Sequence, residues 1–238
     1  MMGFQSVRRR KVHEDVAVQI EEAIILGALV EGESLPSERD LMASFGVGRP
    51  AIREALLLLE RTGFLQLSTG GRARITRPTV AVMIDQLSGS AKQLMAMPGG
   101  EQAFQEARRV FEAAIARNAA EIATATDIDR LGTALAMNRA SIHDMTAFER
   151  TDVAFHLVLA EIGQNPVFGA LNGAIAGWLV LQRQVSLRVD GAAAKALASH
   201  EKIFQAVADH QPELAWAAMD QHLRQVMQHY GMGKEARP

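Results

Sequence analysis

Apolar residues recur at helical spacing along most of this chain, and only one short region breaks that rhythm. Val16, Ile20, Ala23, Ile24 and Leu29 mark a first helix over Val12 to Leu29, with Gly27 near its end and Glu31-Gly32-Glu33 as the connection that follows. The next stretch, LPSERDLMASFGVGRPAIREALLLLERTGFL, reads as two short helices. Ser37 caps the first, Asp40 answers it three residues on, and Gly46 and Gly48 bracket a tight turn. Pro50 suits the first turn of the second helix, which turns Ala51, Ala55, Leu56 and Leu59 inward and ends at Gly63. The rhythm then changes to two β-prone runs, Phe64 to Leu67 and Ala73 to Ile75, around Thr69-Gly70-Gly71.

Pro78 and Thr79 mark a boundary, and Val80 to Met97 is helical again before the Pro98-Gly99-Gly100 break. Beyond it the spacing predicts helices over 101–124, 127–141, 145–163, 166–188, 193–209 and 211–230. The expected architecture is mainly α: an N-terminal winged helix-turn-helix domain, 1–78, a linker helix, 79–100, and a C-terminal all-α helical bundle, 101–238.

Composition narrows the chemistry. The 238 residues include no cysteine, so any transition metal must be held by His, Asp or Glu. The net charge of −2 excludes a uniformly basic nucleic-acid protein and leaves local patches to do such work. Arg8-Arg9-Arg10-Lys11 is one such patch, either a solvated tail or a phosphate contact; Arg72, Arg74 and Arg77 around the hairpin are another. No run approaches the ~20 apolar residues of a membrane span, and none has signal-peptide form, which points to a cytoplasmic protein with no membrane partner.

Two places carry candidate chemistry. Arg49 and Arg53, four apart at the start of the second short helix, project together as a helix-turn-helix protein requires in the major groove. In the bundle, Asp152 and His156 share a helix face beside a buried stripe of Val153, Leu157 and Ala160, while His200 and His222 sit on two later helices. Brought together, these four would offer an oxygen-plus-nitrogen site for zinc, nickel, manganese or another divalent ion. Apart, each histidine would be a hydrogen-bonded structural residue. His13, His143, His210 and His229 read as surface residues, with His229 the rival to His222.

The residues also carry a resemblance. LPSERDL, VGRPAIREAL and L-x-R-x-G-F-L resemble the DNA-binding domain of GntR-type bacterial transcription regulators over about Val12 to Arg77. The resemblance implies operator contacts by Arg39, then Gly48, Arg49, Pro50 and Arg53, then Thr69, Gly70 and Arg72 at the wing. Many relatives carry a hydroxyl residue where Gly48 stands, so one side-chain contact is absent here. D-V-A-F-H, S-H-E-x-I and A-M-D-x-H-L resemble the FCD ligand-binding domain of the FadR-type branch. That implies a metal held by Asp152, His156, His200 and His222, with zinc the leading candidate. It also implies a small carboxylate effector gripped by Arg108, with Arg183, Gln182 and Asn165 lining the cavity. Arg108 is alternatively a surface partner of Glu112, and Asn165 before Pro166 a helix cap. Across the linker, G-x-R-A-R-I-T-R-P and I-D-Q-L-S-G-S-A-K-Q-L resemble the sialic-acid-responsive branch, which implies a sialic acid or another sugar acid as effector.

The resulting expectation is a transcriptional repressor, not an enzyme, that binds double-stranded operator DNA. It acts as a homodimer, because one winged helix buries too little for tight binding and palindromic half-sites need two-fold symmetry. Two alternatives stand: a regulator for which the metal itself is the signal, and a hydrolase with a metal-activated water.

Overall fold

The structure is a computed structural model and describes residues 11–68 and 72–235. The chain forms two compact units, residues 1–86 and 87–238.

In the first unit, α1 (Val12–Ile25) packs against α3 (Arg49–Arg61), and α2 (Glu38–Phe45) completes the trio. The core is one cluster that includes Val16, Ile20, Ile24, Leu35, Leu41, Ile52, Ala55, Leu56 and Leu59. Two inward assignments shift. Ile52, not Ala51, is the fully buried residue of the first turn of α3, because the helix begins at Arg49 and its phase follows from there. Helix α1 stops at Ile25, so Leu29 packs on the core from the loop instead. Ser37 caps α2: its hydroxyl donates to Asp40 Oδ2 at 2.6 Å, and Asp40 N–H donates back at 3.3 Å. Gly46 ends α2 in the left-handed region, φ 64°, where a side chain would be strained.

The wing is the antiparallel pair β1 (Leu65–Gln66) and β2 (Arg74–Ile75), with Leu65 opposite Ile75. It is widened by the segment before α2, where Leu35 N–H donates to Ala73 O and Ile75 N–H to Glu33 O, each at 2.8 Å. This third extended segment has no sequence signal, since only its backbone takes part. Gly63 closes α3 at φ 84°, and a Cβ placed there would meet Val82 Cγ1 at 3.0 Å and Pro78 Cα at 3.3 Å. Gln86 Nε2 donates to Arg61 O at 2.6 Å, so the first turns of α4 (Val80–Met95) are tied to the end of α3.

The second unit takes the rest of α4 and continues as α5 (Gly100–Ile122), α6 (Ala125–Ala140), α7 (Met145–Ile162), α8 (Pro166–Trp178), α9 (Val180–Leu187), α10 (Ala192–Ala208) and α11 (Pro212–Glu235). The segment 166–188, expected as one helix, is two. Buried Leu179 ends α8 and begins α9, and Arg183 Nη1 donates to Ala176 O at 3.2 Å, satisfying a carbonyl released at the end of α8. Alanines allow close approach of the helices: Ala113, Ala116, Ala119 and Ala120 of α5 are all fully buried. The buried stripe of α7 is Phe148, Asp152, Phe155, His156 and Leu159, while Val153 and Leu157 are only half-buried. Polar groups thus lie on the core face of α7. No described helix is long and apolar enough to cross a membrane.

Candidate functional site

The candidate recognition surface of the first unit follows from its helix ends. Gly48 is the N-cap of α3, Arg49 and Pro50 are its first two residues, and Arg53 lies one turn on. Both arginines are exposed, and Glu38 of α2 stands between them, 3.5 Å from Arg49 Nε and 3.9 Å from Arg53 Nε. Arg39 is exposed, with its Nε 3.8 Å from Asp40. Arg72 lines a groove with Arg53, Ser37 and Leu67. Thr69 and Gly70, and Arg8 to Arg10, lie outside the described residues.

In the second unit, Asp152 and His156 from α7, His200 from α10 and His222 from α11 converge. All four are buried, and one ligand atom from each lies within 4.8 Å of the others. The rings pack on one another, with His200 and His222 centroids 4.8 Å apart and Phe155 stacked on His200 at 4.5 Å. His229 is half-buried and outside the group. Of the other histidines, His143 is exposed, His13 Nδ1 lies 2.7 Å from Glu54 and His210 Nδ1 lies 3.0 Å from Ala120 O.

Two residues organise this cluster, Asn138, which carries no sequence signal of its own here, and Glu112, which the sequence offers only as a surface partner of Arg108. Asn138 of α6 is fully buried; its Oδ1 is 3.0 Å from His200 Nδ1, and its Nδ2 donates to Thr151 Oγ1 at 3.0 Å. An amide held this way accepts from Nδ1–H and leaves His200 Nε2 with its lone pair. Glu112 of α5 lies against His156, its Oε2 in ion-pair contact with Nδ1 but outside hydrogen-bond geometry, while Oε1 accepts from Arg108 Nε at 2.6 Å. Both stand on the apolar stripes of their helices, where a polar residue is costly to bury unless it has a partner.

The cluster leaves buried ring nitrogens without hydrogen-bond partners: both nitrogens of His156, His200 Nε2 and His222 Nδ1. Nitrogens that cost free energy when unpaired are what a cation would satisfy, so the donor set fits a divalent metal ion. Burial disfavours the imidazolium and pushes His200 down to about 3; His222 falls well below its ordinary value for the same reason. Neutral imidazoles are the form a metal requires. Burial opposes ionisation of Glu112 as well, but Arg108 and His156 outweigh it and hold the carboxyl well below the usual carboxylate range.

Arg108 and Arg183 are both buried and line one small cavity with Gln105, Leu179, Gln182, Leu223, Val226 and Met227. Its free space is about 10 Å³, room for a single water. Arg183 Nε is 3.4 Å from Asp152 Oδ2 but makes no hydrogen bond, and Gln182 Oε1 is also buried without a partner. The Glu112 pairing of Arg108 is therefore present, though inside the bundle and not on its surface. Asn165 is corrected: it is exposed, its Oδ1 accepts from Val167 N–H at 3.0 Å to cap α8, and it is not among the cavity-lining residues.

Comparison with known proteins follows the same division. Residues 12–75 match the family described as bacterial regulatory proteins, gntR family, and residues 103–225 match the FCD domain. The chain is 41% identical over 227 residues to the HTH-type transcriptional repressor NanR of Cronobacter sakazakii, covering 94% of this chain and 87% of that protein. It is 42% identical over 222 residues to the repressor of the same name from Escherichia coli K12, covering 92% and 84%. Among solved structures, Streptococcus agalactiae GntR superposes with a TM-score of 0.64 at 23% identity, covering 91% of this chain and 99% of that one, which establishes likeness of fold.

Proposed function

Because the chain belongs to the GntR family of bacterial regulators and carries an FCD domain, we propose that it is a repressor whose operator binding is set by a small carboxylate held in a metal-containing pocket of the second unit. DNA binding and repression come with the family. Relatives at this identity are transcriptional repressors, so the hydrolase alternative falls.

The observation that carries the pocket is that Asp152, His156, His200 and His222 surround unpartnered ring nitrogens beside a cavity lined by two buried arginines. Three imidazoles and one carboxylate suit zinc or nickel better than magnesium or calcium. The bound ion supplies a fixed positive charge for an anionic ligand. Without it Arg108 and Arg183 stand against Glu112 and Asp152, and burial disfavours a proton on His200 and His222; a divalent cation adds positive charge that favours a carboxylate. Arg108 would then offer the carboxylate its remaining N–H groups, since Nε already serves Glu112. The operator face is assigned to Arg39, Gly48, Arg49, Pro50, Arg53 and Arg72, and, on family resemblance alone, Thr69 and Gly70. The division into 1–78, 79–100 and 101–238 is supported by the stretch between the two matched segments. The small surface that one winged helix offers DNA supports a homodimer, and an operator-DNA target supports action in the cytoplasm.

The test is an operator gel shift with metal-loaded and chelated protein, with and without sugar acids such as N-acetylneuraminate and galacturonate. Release by a sugar acid only when metal is present is the expected result. The water-sized cavity favours one rival, in which metal is the whole signal; release or capture of operator on chelation alone, with no response to any carboxylate, would establish it in place of this reading.

A further inference from the structure

The last turn of α8 stands between the buried cluster and the linker helix α4. Arg183, whose Nε lies 3.4 Å from Asp152 Oδ2, donates from Nη1 to Ala176 O at 3.2 Å, so one side chain both faces the cluster and holds the end of α8. Two residues on, Trp178 closes α8. Its indole N–H donates to Ser88 Oγ of α4 at 3.2 Å, and its ring meets Phe104 of α5 edge-on with centroids 5.7 Å apart.

Both ends of this connection are lightly held. Along the part of α4 in the second unit, Ser88, Ala91 and Met95 recur at helical spacing, but only Ala91 is buried among the described residues, and Leu87 and Leu94 are exposed. Such a seat covers little apolar surface and opens locally, without the bundle unfolding. Helix α8 carries Gly169, Gly173 and Gly177, four apart. A Cβ at Gly173 or Gly177 would meet nothing within 4 Å, so packing does not ask for glycine there, and each weakens the helix by about 1 kcal/mol relative to alanine. Arg183 Nε is buried with no hydrogen-bond partner and faces the Asp152 carboxylate; a cation bound by that carboxylate weakens its pull on Arg183.

We propose that the last turn of α8 couples the metal site to the linker helix, with Trp178 as the residue that positions α4 and Arg183 as the link from Asp152 to the helix end that carries Trp178. The inference rests on the metal reading given above and adds the route by which occupancy of that site reaches α4. When a cation claims the carboxylate, Arg183 shifts, the carbonyl of Ala176 follows it, and the glycine-weakened turn moves the indole against Ser88. Coupling of this kind needs an element whose equilibrium the site biases, and the seat of α4 on Trp178 is that element.

The test is amide hydrogen exchange of α4 in the full chain, stripped with EDTA or loaded with zinc, for wild type, Ser88→Ala, Ser88→Thr, Trp178→Phe and Gly177→Ala. Zinc content measured on each sample reports an intact site. In wild type, zinc is expected to change the exchange rate of α4, an effect that global stabilisation does not produce in amides that open locally. Ser88→Ala and Trp178→Phe, each lacking one neutral hydrogen bond, should speed α4 exchange about two- to tenfold and make it indifferent to zinc, at unchanged zinc content. Ser88→Thr keeps the hydroxyl and should retain both the slow rate and the zinc dependence. Gly177→Ala should shrink the zinc response while raising the denaturant midpoint of the second unit. A zinc-loaded wild type whose α4 exchanges as the stripped protein does would overturn the coupling and leave the metal site standing. A zinc response kept in Ser88→Ala and Trp178→Phe would take the role from Trp178, and one kept whole in Gly177→Ala would take the movement out of α8; either result overturns the proposal. Wild type that binds no zinc would remove the metal reading, and this inference with it.

Discussion

At the level of single residues, charge and position decide more than type. Gly48 ends the turn, Pro50 starts the helix and Glu38 stands near both guanidinium groups, so Arg49 and Arg53 are presented together on the proposed operator face. Arg49→Ala should weaken specific operator binding by about 1–3 kcal/mol if the side chain reads a base edge. The Arg49→Ala/Arg53→Ala double variant should lose most of it, and an unchanged gel shift would refute the assignment. At the second site the discriminating pair is His222 and His229. His222→Ala should abolish metal retention, whereas His229→Ala should keep full stoichiometry, because only His222 lies with Asp152, His156 and His200. Elemental analysis of both variants, purified without chelator, distinguishes them.

Among the elements, the caps are the most transferable. Ser37→Ala removes both hydrogen bonds of the α2 N-cap and should cost the DNA-binding unit about 1 kcal/mol, seen as an earlier denaturant midpoint for that unit. A change below a few tenths would mean that Asp40 or water caps α2 unaided. The same kind of local chemistry explains what could be read from sequence. Ser37, Gly46, Pro50 and Gly63 act through their own backbone neighbourhood, so the helix-turn-helix was visible from order alone. The break at Leu179 was not visible, because nothing at that position forbids a helix; it is held by Arg183 reaching Ala176 O and Asp152 across the fold. Likewise the residues of the candidate metal group were nameable, but Asn138 carried no signal and Glu112 was legible only as a partner of Arg108. Their meaning depends on which histidine they face, and that is decided by the packing of α5 and α6 on their neighbours.

For the molecule as a whole, the buried cluster ties stability to solution conditions. In metal-free protein His200 titrates near 3 when folded, against ~6.5 when unfolded. Between those values the unfolded chain binds a proton that the folded chain refuses, so stability falls as pH drops, by about 1.4 kcal/mol per pH unit for that group. His222 acts in the same direction. Urea unfolding of the second unit with EDTA should therefore show a lower midpoint at pH 5 than at pH 7.5; equal midpoints would contradict the burial of these rings. Metal at saturating concentration should raise both midpoints, because an ion bound only to the folded state stabilises it by mass action. The first unit should not respond. Sedimentation at micromolar concentration tests the dimer, with a monomer that still binds operator tightly as the contrary result.

Gly63 leaves no slack between the C-terminal end of the recognition helix and Val82, and Gln86 fastens the same two elements again. An ordinary side chain at that point would act as a cushion; here a movement of the first turns of α4 and a tilt of α3 are one displacement. Such a rigid joint transmits equally in both directions, and thermodynamic reciprocity then fixes what the operator does in return. If effector loosens the grip on DNA by some factor, the operator loosens the grip on effector by that same factor. The cellular concentration at which the regulator lets go is therefore not a property of the pocket alone, and it rises with the strength of the operator to which the protein is bound.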